Sequence, residues 1–567
     1  MTACWFGGYV GRPGDTDWPR PPGARMLWVG RFPVWCVGSW PDSEVQVSQG
    51  GPHIAVIGPC AAADLTFAAR DEHGLAAAHA GSYTVIQAAS EELRVFTDLG
   101  FAWPVYLARY AGGIVWGSSA RMLAGLTGAR PDPAWLAAAL IDPAAAAHGA
   151  RSPFEAITVS PPGSRVCLRL GCSPVITAAA SVQRRSRQEA MSGLRRALDA
   201  GVAVRIRAAS HPSSDLSGMD SGSLCVLAAR HVRPPARLTA VTVHPAGRDQ
   251  GGDIDCARAA IEPGGTADHQ LLPLGPEHLP GAGLDHVPAT DEPAPSAVTW
   301  ARLAAELALL AGLGSDCHLT GDGGDTLFHP GPGYLAGLAR SGQVLRLAAH
   351  AQGWARLQKG SPWPLLAQAI RGPTRPGPAA WLTKRAVEMA ACNSRCGHGP
   401  DQRALAEIQT VGRTARADAQ LAEVFGIRLH NPFTDSAVIA AALSLPAWER
   451  GDPWRYKPLL TDAVDGLLPP RLAARTTKGT FDADHHRGMR ANLHTLLGLA
   501  DGHLAALGLI DTGQLRTAIR NAAAGLPTPF GMLEPVLAAE TWLRAVATAP
   551  AKAWISGGSV PVPQGQS

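Results

Sequence analysis

A short run of small residues constrains this chain more than any other feature. The run Ser214-Asp215-Leu216-Ser217-Gly218-Met219-Asp220-Ser221-Gly222-Ser223 leads directly into an apolar segment with helical character at 224–230. Serine and glycine let the backbone approach a ligand, and the free N–H groups at the start of a helix attract phosphate. A carboxylate such as Asp220 fits there only with a cation such as Mg²⁺ between it and the phosphate. The run therefore predicts a metal-dependent phosphate loop, and an ordinary turn with a helix N-cap is the alternative.

A second glycine-rich turn, Thr320-Gly321-Asp322-Gly323-Gly324-Asp325, follows a short apolar segment, Cys317-His318-Leu319. The segment 238–243 is apolar and β-branched, as expected of a buried parallel strand. Strands that alternate with helices around glycine-rich loops indicate a doubly wound α/β domain with its ligand at the carboxyl ends of the strands. Two such loops, each carrying aspartate, are harder to explain as structural turns than one.

Bulk composition narrows the classes of function. With 567 residues, of which 46% are apolar, the chain should form more than one domain. A net charge of +4 with no basic run argues against nucleic-acid binding. No stretch of about 18 apolar residues and no signal peptide is present, so we expect a cytoplasmic protein that does not bind membranes. The cysteines are scattered, and Cys392 and Cys396 near His398 are interpreted as thiols in a loop.

The chain divides into two predicted domains, at 1–180 and 185–567. The first is rich in short β-segments bounded by Gly, Pro and Asp. In the second, we expect an irregular surface loop at 263–295 and mostly helices at 335–420. The segment Leu429-His430-Asn431-Pro432-Phe433-Thr434-Asp435 precedes another helix, and the preferred interpretation of Asp435 is a helix N-cap.

Both glycine-rich loops resemble known motifs. Ser217-Gly218-Met219-Asp220-Ser221 resembles the Ser-Gly-Gly-x-Asp-Ser loop of the N-type ATP pyrophosphatases, with one glycine fewer, and the second turn resembles the Ser-Gly-x-Gly-x-Asp-Glu-Leu-Phe turn of asparagine synthetases. The resemblance implies ATP and Mg²⁺ as cofactors, with Asp220 and Asp325 as metal ligands. Asp322 takes the position of a group that handles the nucleophile's proton. The implied ATP-binding residues are Leu216, Ser217, Gly218, Asp220, Ser221, Gly321, Gly323 and Gly324.

The first domain resembles the glutaminase half of glutamine-dependent asparagine synthetases. The likeness lies in Thr97-Asp98-Leu99-Gly100 with Trp103-Pro104-Val105-Tyr106-Leu107, and it implies an Ntn-hydrolase-like αββα fold. That family uses an N-terminal cysteine as its nucleophile. Here Cys4 is internal and removal of Met1 would expose Thr2, so we expect an inactive domain retained as a scaffold.

The lysines are few and unevenly placed. Only Lys359, Lys384, Lys457, Lys478 and Lys552 occur, in a chain that otherwise uses arginine. An ammonium that touches phosphate as a compact charge is not replaceable by a guanidinium, so Lys457 and Lys478 are candidate catalytic residues. For either of them, a solvated surface lysine is the alternative.

The resemblance covers nearly the whole chain, and it implies an ATP-dependent ligase that forms an acyl-adenylate and then an amide. The details are most similar to the lasso-peptide cyclases, notably Ser214-Asp215-Leu216-Ser217 and Arg475-Thr476-Thr477-Lys478-Gly479. That family joins the N-terminal amine of a precursor peptide to an Asp or Glu side chain in a macrolactam, with a leader-binding protein and a leader peptidase as partners. Alternatives are an asparagine synthetase that uses ammonia or glutamine, a cyclase like the beta-lactam synthetases, and a non-catalytic binding scaffold.

Overall fold

The computed structural model describes residues 3–13, 17–70, 74–142, 150–178, 181–247, 250–261, 267–371, 377–391, 400–473 and 482–549. Two antiparallel sheets form the N-terminal part, and one parallel sheet surrounded by helices forms the C-terminal part. The predicted α/β fold class is confirmed, with antiparallel sheets before a doubly wound parallel sheet. Among the described residues, no helix combines the length and apolar character needed to cross a bilayer.

The N-terminal part is a stack of two six-stranded sheets. One sheet has the order β10-β8-β9-β1-β3-β2 and the other β12-β11-β7-β6-β5-β4. Apolar side chains of both, such as Phe6 and Trp116 from the first and Ile86 and Val95 from the second, form the core between them. The strands are β1 (Trp5–Val10), β2 (Arg25–Trp28), β3 (Val34–Val37), β4 (Val45–Val47), β5 (His53–Ile57), β6 (Thr84–Ala88), β7 (Leu93–Phe96), β8 (Tyr106–Tyr110), β9 (Gly113–Gly117), β10 (Ile157–Val159), β11 (Ser164–Leu168) and β12 (Val175–Ala178).

The C-terminal part is built on a five-stranded parallel sheet. Its strands are β13 (Pro212–Asp215), β14 (Leu238–Pro245), β15 (Ala267–Leu274), β16 (Cys317–Leu319) and β17 (Arg428–His430). They lie in the order β15-β14-β13-β16-β17, so the first two crossovers run to one side of β13 and the next to the other side. The direction of winding reverses between β13 and β16, and this reversal opens a crevice at their carboxyl ends.

Helices surround both parts of the chain. Helices α1 and α2 pack on the first antiparallel sheet, and α3 and α4 pack together beside the parallel sheet. The helices are α1 (Ala120–Thr127), α2 (Pro133–Ile141), α3 (Arg187–Ala208), α4 (Met219–His231), α5 (Gly252–Ile261), α6 (Trp300–Gly312), α7 (Gly324–Phe328), α8 (Leu335–Arg340), α9 (Val344–Leu357), α10 (Pro362–Arg371), α11 (Lys384–Ala391), α12 (Pro400–Glu423), α13 (Ser436–Leu443), α14 (Ala447–Arg450), α15 (Pro458–Ala463), α16 (Pro470–Ala473), α17 (Asp482–Ala491), α18 (Leu493–Leu499), α19 (His503–Ala506), α20 (Thr512–Ala523) and α21 (Phe530–Thr548).

One structural prediction is wrong. The segment 263–295 was expected to be an irregular loop, but β15 forms the edge of the parallel sheet and pairs with β14 over its whole length. The local sequence did not indicate this strand, because an edge strand pairs with a neighbour on one side only and therefore tolerates polar residues and proline. In β15, the three consecutive residues Asp268, His269 and Gln270 are polar, and Pro273 is the last residue but one of the strand.

Asp435 has a role other than the one predicted. It occupies the N-cap position of α13, yet its side chain makes no capping hydrogen bond. Its carboxylate instead accepts two hydrogen bonds from Arg205, at 2.6 and 2.8 Å, and one from Ser82 Oγ at 2.5 Å. All three side chains are buried, so an ionic cluster in which both oxygens of Asp435 are paired joins the two parts of the chain.

The Thr97-Asp98-Leu99-Gly100 segment is a second joint between the parts. Buried Asp98 accepts hydrogen bonds from the N–H groups of Ala102 and Trp103, which fixes the turn. A Cβ at Gly100 would lie 1.9 Å from the carbonyl oxygen of Thr434, and one at Gly412 of α12 would lie 1.6 Å from the carbonyl oxygen of Gly100. Glycine is therefore required where these backbones meet. Further polar contacts across the interface are Glu44–Arg428, Tyr106–Glu292–Arg413 and Ser119–Asp291–Gln420.

Candidate active site

The two predicted loops lie side by side at the crevice between β13 and β16. The first continues from β13 into α4, and the second continues from β16 into α7. Leu216 anchors the first loop, because its N–H donates to the carbonyl oxygen of Val241 at 2.7 Å and its own carbonyl accepts from Thr242 Oγ1. The Thr320 N–H anchors the second by donating to the carbonyl of His430 at 3.0 Å.

Ser221 organises the first loop. Its Oγ accepts hydrogen bonds from the N–H groups of Ser217 at 3.1 Å and Gly218 at 3.3 Å. A Cβ added at Gly218 would meet no atom within 4 Å, so the backbone there faces open space that a ligand can enter. Met219 is buried and begins α4, a helix of 13 residues. The shortened loop thus still presents a helix N-terminus with its dipole directed at the open space.

The glycines of the second loop are needed because the two loops touch. A Cβ at Gly324 would lie 2.4 Å from the carboxyl carbon of Asp220, and one at Gly321 would lie 2.8 Å from the amide nitrogen of Ser221. Gly323 has φ +92°, a conformation that L side chains rarely adopt. The predicted glycines therefore let the two aspartate-bearing loops approach at backbone distance.

Lys457 connects the two loops electrostatically. Its side chain is 1% exposed, and its Nζ contacts a carboxylate oxygen of Asp220 and lies 2.6 Å from Asp325 Oδ1. Burial by itself lowers the pKa of Lys457, but the negative charges of Asp220 and Asp325 outweigh that effect and raise it, so the side chain stays an ammonium. Asp220 and Asp325 thus converge on one cation, and their carboxylate oxygens are the donors that Mg²⁺ prefers.

Asp322 lies at the tip of the second loop and is exposed. Its Oδ2 accepts hydrogen bonds from Thr320 Oγ1 at 3.0 Å and from Asn431 Nδ2 at 3.2 Å. Asn431 also donates to Thr320 Oγ1 at 2.7 Å, so the end of β17 and the end of β16 hold the carboxylate jointly. A base that is oriented by neighbours and open to solvent can receive a proton from an incoming group.

Sequence reasoning missed a cluster of titratable side chains beside these loops. Asp215, Glu306 of α6 and His318 of β16 each place a ligand atom within 4.8 Å of the others. His318 Nε2 lies 3.3 Å from Asp215 Oδ1, and His318 Nδ1 lies 2.8 Å from Ser213 Oγ. Burial and then the charge of Asp215 raise the pKa of Glu306 to about 8, so this carboxyl group is neutral at pH 7. The alternation of side chains along β13 could have predicted that Asp215 lies on the same face of the sheet as His318. No sequence pattern could have predicted that Glu306 of α6 lies next to them.

Cys4 lies at the interface of the two parts, where it lines a cavity. Its N–H donates to Glu423 Oε2 at 2.8 Å, and its carbonyl accepts from Arg416 at 2.7 Å. Burial and then the negative charge of Glu423 raise the pKa of its thiol to about 12. The thiolate is the nucleophilic form, so this environment does not activate the cysteine.

The remaining predicted catalytic residue, Lys478, lies outside the described residues, as do Cys392, Cys396 and His398. The structure therefore brings together Leu216, Ser217, Gly218, Asp220, Ser221, Gly321, Asp322, Gly323, Gly324, Asp325 and Lys457. The roles assigned to these residues remain predictions.

Comparison with known proteins identifies the family. Residues 193–544, more than half of the chain, match the family model described as asparagine synthase. A comparison with curated proteins finds no match. Among solved structures, the chain is similar to glutamine phosphoribosylpyrophosphate (PRPP) amidotransferase from B. subtilis complexed with ADP and GMP, at 10% identity and a TM-score of 0.20, covering 56% of this chain and 74% of that one. That likeness is too weak to support a conclusion. On the family match, the chain belongs to the asparagine synthase family and is an ATP-dependent carbon–nitrogen ligase of the asparagine-synthetase type.

Proposed function

We propose that this ligase closes a macrolactam ring in a precursor peptide, as in lasso-peptide biosynthesis. ATP activates an Asp or Glu side-chain carboxylate of the peptide, and the N-terminal amine of the same peptide attacks it. A leader-binding protein and a leader peptidase are the expected partners, because the amine must be freed and the peptide presented.

The environment of Cys4 is the observation from which we infer the source of the attacking amine. A glutamine-using relative needs a reactive thiol to release ammonia, whereas the pKa of the Cys4 thiol is about 12 and its backbone is held by Arg416 and Glu423. An enzyme that does not draw its amine from glutamine has to take it from solution or from the substrate. The resemblance of the loop around Ser217 to the lasso-peptide cyclases favours the substrate.

The two loops are suited to the first chemical step, in which ATP activates the peptide carboxylate. The peptide carboxylate attacks the α-phosphorus of ATP, the bond to the β-phosphate oxygen breaks, and pyrophosphate leaves. The open backbone at Gly218 and the N-terminus of α4 would hold the phosphates. Mg²⁺, when bound by Asp220 and Asp325, would offset charge on the phosphates. Lys457 keeps the two carboxylates together.

Asp322 is suited to the second step, in which the amine attacks the acyl-adenylate. The amine nitrogen attacks the carbonyl carbon of the acyl-adenylate, a C–N bond forms, and the C–O bond to AMP breaks. The nitrogen loses a proton, and Asp322 is the exposed carboxylate oriented by Thr320 and Asn431 to receive it. The rate also depends on a peptide folded so that its amine lies near the adenylate.

The test is incubation of the full chain with ATP, Mg²⁺ and a linear peptide that carries a free N-terminal amine and an internal Asp or Glu. We expect a product lighter by one molecule of water, together with AMP and pyrophosphate, from the genomically associated precursor peptide. Asp322→Asn should still release pyrophosphate while forming product more slowly. The matched control is Asp316→Asn, a carboxylate that only caps a backbone turn at Ser210 and His211.

Parallel reactions address the alternatives. Asparagine formed from aspartate, ATP and ammonium would identify an ammonia-using asparagine synthetase. Glutamate released from glutamine would identify a working glutaminase. Absence of pyrophosphate release with every candidate peptide would leave the binding scaffold as the better interpretation.

A further inference from the structure

Three side chains from three different elements converge at the point where the two loops begin. Asp215 ends β13, His318 is the middle residue of β16, and Glu306 lies on α6. Each of them offers a ligand atom, and these atoms all lie within 4.8 Å of one another. In the described part of the chain, no other group of three or more His, Cys, Asp or Glu residues converges in this way.

The parallel sheet places two of these side chains on one face. Ser213 of β13 is in register with His318 of β16, and Asp215 shares the face of Ser213 because alternate residues of a strand point to the same side. His318 Nε2 accordingly lies 3.3 Å from Asp215 Oδ1. The arrangement is thus set by the backbone register and does not depend on a flexible loop.

The second ring nitrogen of His318 is held from behind. Its Nδ1 lies 2.8 Å from Ser213 Oγ, and this hydroxyl donates its own proton to the carbonyl oxygen of Cys317 at 3.1 Å. Ser213 Oγ can therefore accept from Nδ1–H, which leaves the lone pair of Nε2 directed at the carboxyl groups. Metal-binding histidines are oriented in the same manner, with one nitrogen bonded to a neighbour and the other facing the ion.

The carboxyl group of Glu306 has an oxygen left over. Its Oε1 is buried and makes no hydrogen bond to any described residue. Arg302, one turn earlier on α6, acts on Glu306 only through its charge. Asp215 and Glu306 are both half-buried, whereas His318 is buried, so the cluster can be reached from solvent on the carboxylate side.

We propose that Asp215, Glu306 and His318 bind a divalent transition-metal ion, distinct from the Mg²⁺ expected in the active site. Mg²⁺ prefers oxygen ligands alone, whereas a set that includes imidazole suits ions such as Zn²⁺, Fe²⁺ or Co²⁺. Three protein ligands leave further coordination positions for water. Because metal ligands are deprotonated, binding of the ion would release the proton of Glu306.

The role that this position gives the ion is to fix the two loops. Leu216, which anchors the first loop, directly follows Asp215, and Thr320, which anchors the second, lies two residues after His318. An ion held at these strand ends and by α6 would join the two loops from behind. The inference goes beyond the proposed function, because it does not involve the peptide or its amine.

The test is a calorimetric titration of the full chain with Co²⁺, after EDTA treatment and with Mg²⁺ in excess. The excess of Mg²⁺ competes for the carboxylates of Asp220 and Asp325. Co²⁺ with nitrogen and oxygen ligands absorbs weakly in the visible range, whereas thiolate ligands add an intense near-ultraviolet band. The absorption spectrum therefore distinguishes this cluster from the scattered cysteines. We expect one Co²⁺ per chain and no thiolate band.

Two variants each remove one ligand. His318→Gln and Glu306→Gln should each weaken Co²⁺ binding by about 10-fold or more. The matched controls are His494→Gln and Glu155→Gln, at exposed positions outside the cluster, and both should bind Co²⁺ as the parent does. Because Glu306 is only half-buried and glutamine keeps its shape, Glu306→Gln keeps the test available if His318→Gln fails to fold.

Three outcomes would overturn this inference: no Co²⁺ binding to the parent in excess Mg²⁺, a thiolate band in the spectrum of the bound ion, or parental binding by a folded variant of either ligand. The ligase assay is independent of all three. If Co²⁺ binds as expected but no peptide is cyclised, the metal site is supported and the proposed function fails.

Discussion

Replacing Lys457 by methionine tests the electrostatic link between the two loops. The lysine is 1% exposed and faces Asp220, whose side chain is 12% exposed, and Asp325, whose side chain is 52% exposed. Removal of one partner from a buried ion pair costs about 3–5 kcal/mol. Water around Asp325 screens part of this, so we expect a loss of about 2–4 kcal/mol in the stability of the fold.

Methionine isolates the charge. It retains most of the apolar length of lysine, and it has the same difficulty in adopting φ 45°, so backbone strain cancels in the comparison. The assay is the thermal unfolding midpoint in EDTA, which falls by about 2–4 °C per kcal/mol in a domain of roughly 150–250 residues. Lys384→Met is the control, because its side chain is 91% exposed and forms only a pair within one helix.

Magnesium should restore much of the loss. In Lys457→Met, the carboxylates of Asp220 and Asp325 no longer pair with an ammonium, so both can bind a divalent cation. A ligand present at about 100 times its Kd stabilises the folded state by about 2.7 kcal/mol. We therefore expect added Mg²⁺ to raise the midpoint of Lys457→Met more than that of the parent. A midpoint equal to that of Lys384→Met in EDTA, or the same Mg²⁺ effect in variant and parent, would refute this reasoning.

Three other predictions concern single side chains. Cys4→Ala should leave product formation intact, and glutamate release that is present in the parent and lost in this variant would contradict it. Glu306 has a folded-state pKa of about 8 against an ordinary 4.5, so its stabilising contribution is complete below pH 4.5 and lost as pH rises through 8. The unfolding midpoint of Glu306→Gln relative to the parent should therefore rise between pH 4.5 and about 8 and level off above that, and a constant difference over this range would show that the carboxyl is not neutral. Lys478→Met should slow single-turnover product formation by about 10²–10³ while ATP binding survives better, and near-parental cyclisation would indicate a surface lysine.

The sequence by itself determined the local features of the site. A phosphate loop can be predicted from glycine and serine next to aspartate, because these residues are adjacent in the sequence. A buried strand such as β14 can be predicted from a run of β-branched residues. Both loops, the helix after the first and the short strand before the second therefore lie where their residues predicted.

Only the tertiary structure decided which distant residues meet. Lys457 lies 237 positions from Asp220, and Asp435 lies 230 from Arg205, so neither pair leaves a periodic signal in the sequence. The edge strand β15 was missed because its partner, not its own composition, makes it a strand. The same is true of the pocket lined by residues of α2, α12 and α21, helices that come together only through packing of the whole chain. Short-range sequence patterns record local backbone and burial preferences, whereas charge pairing and pocket shape depend on how distant elements pack.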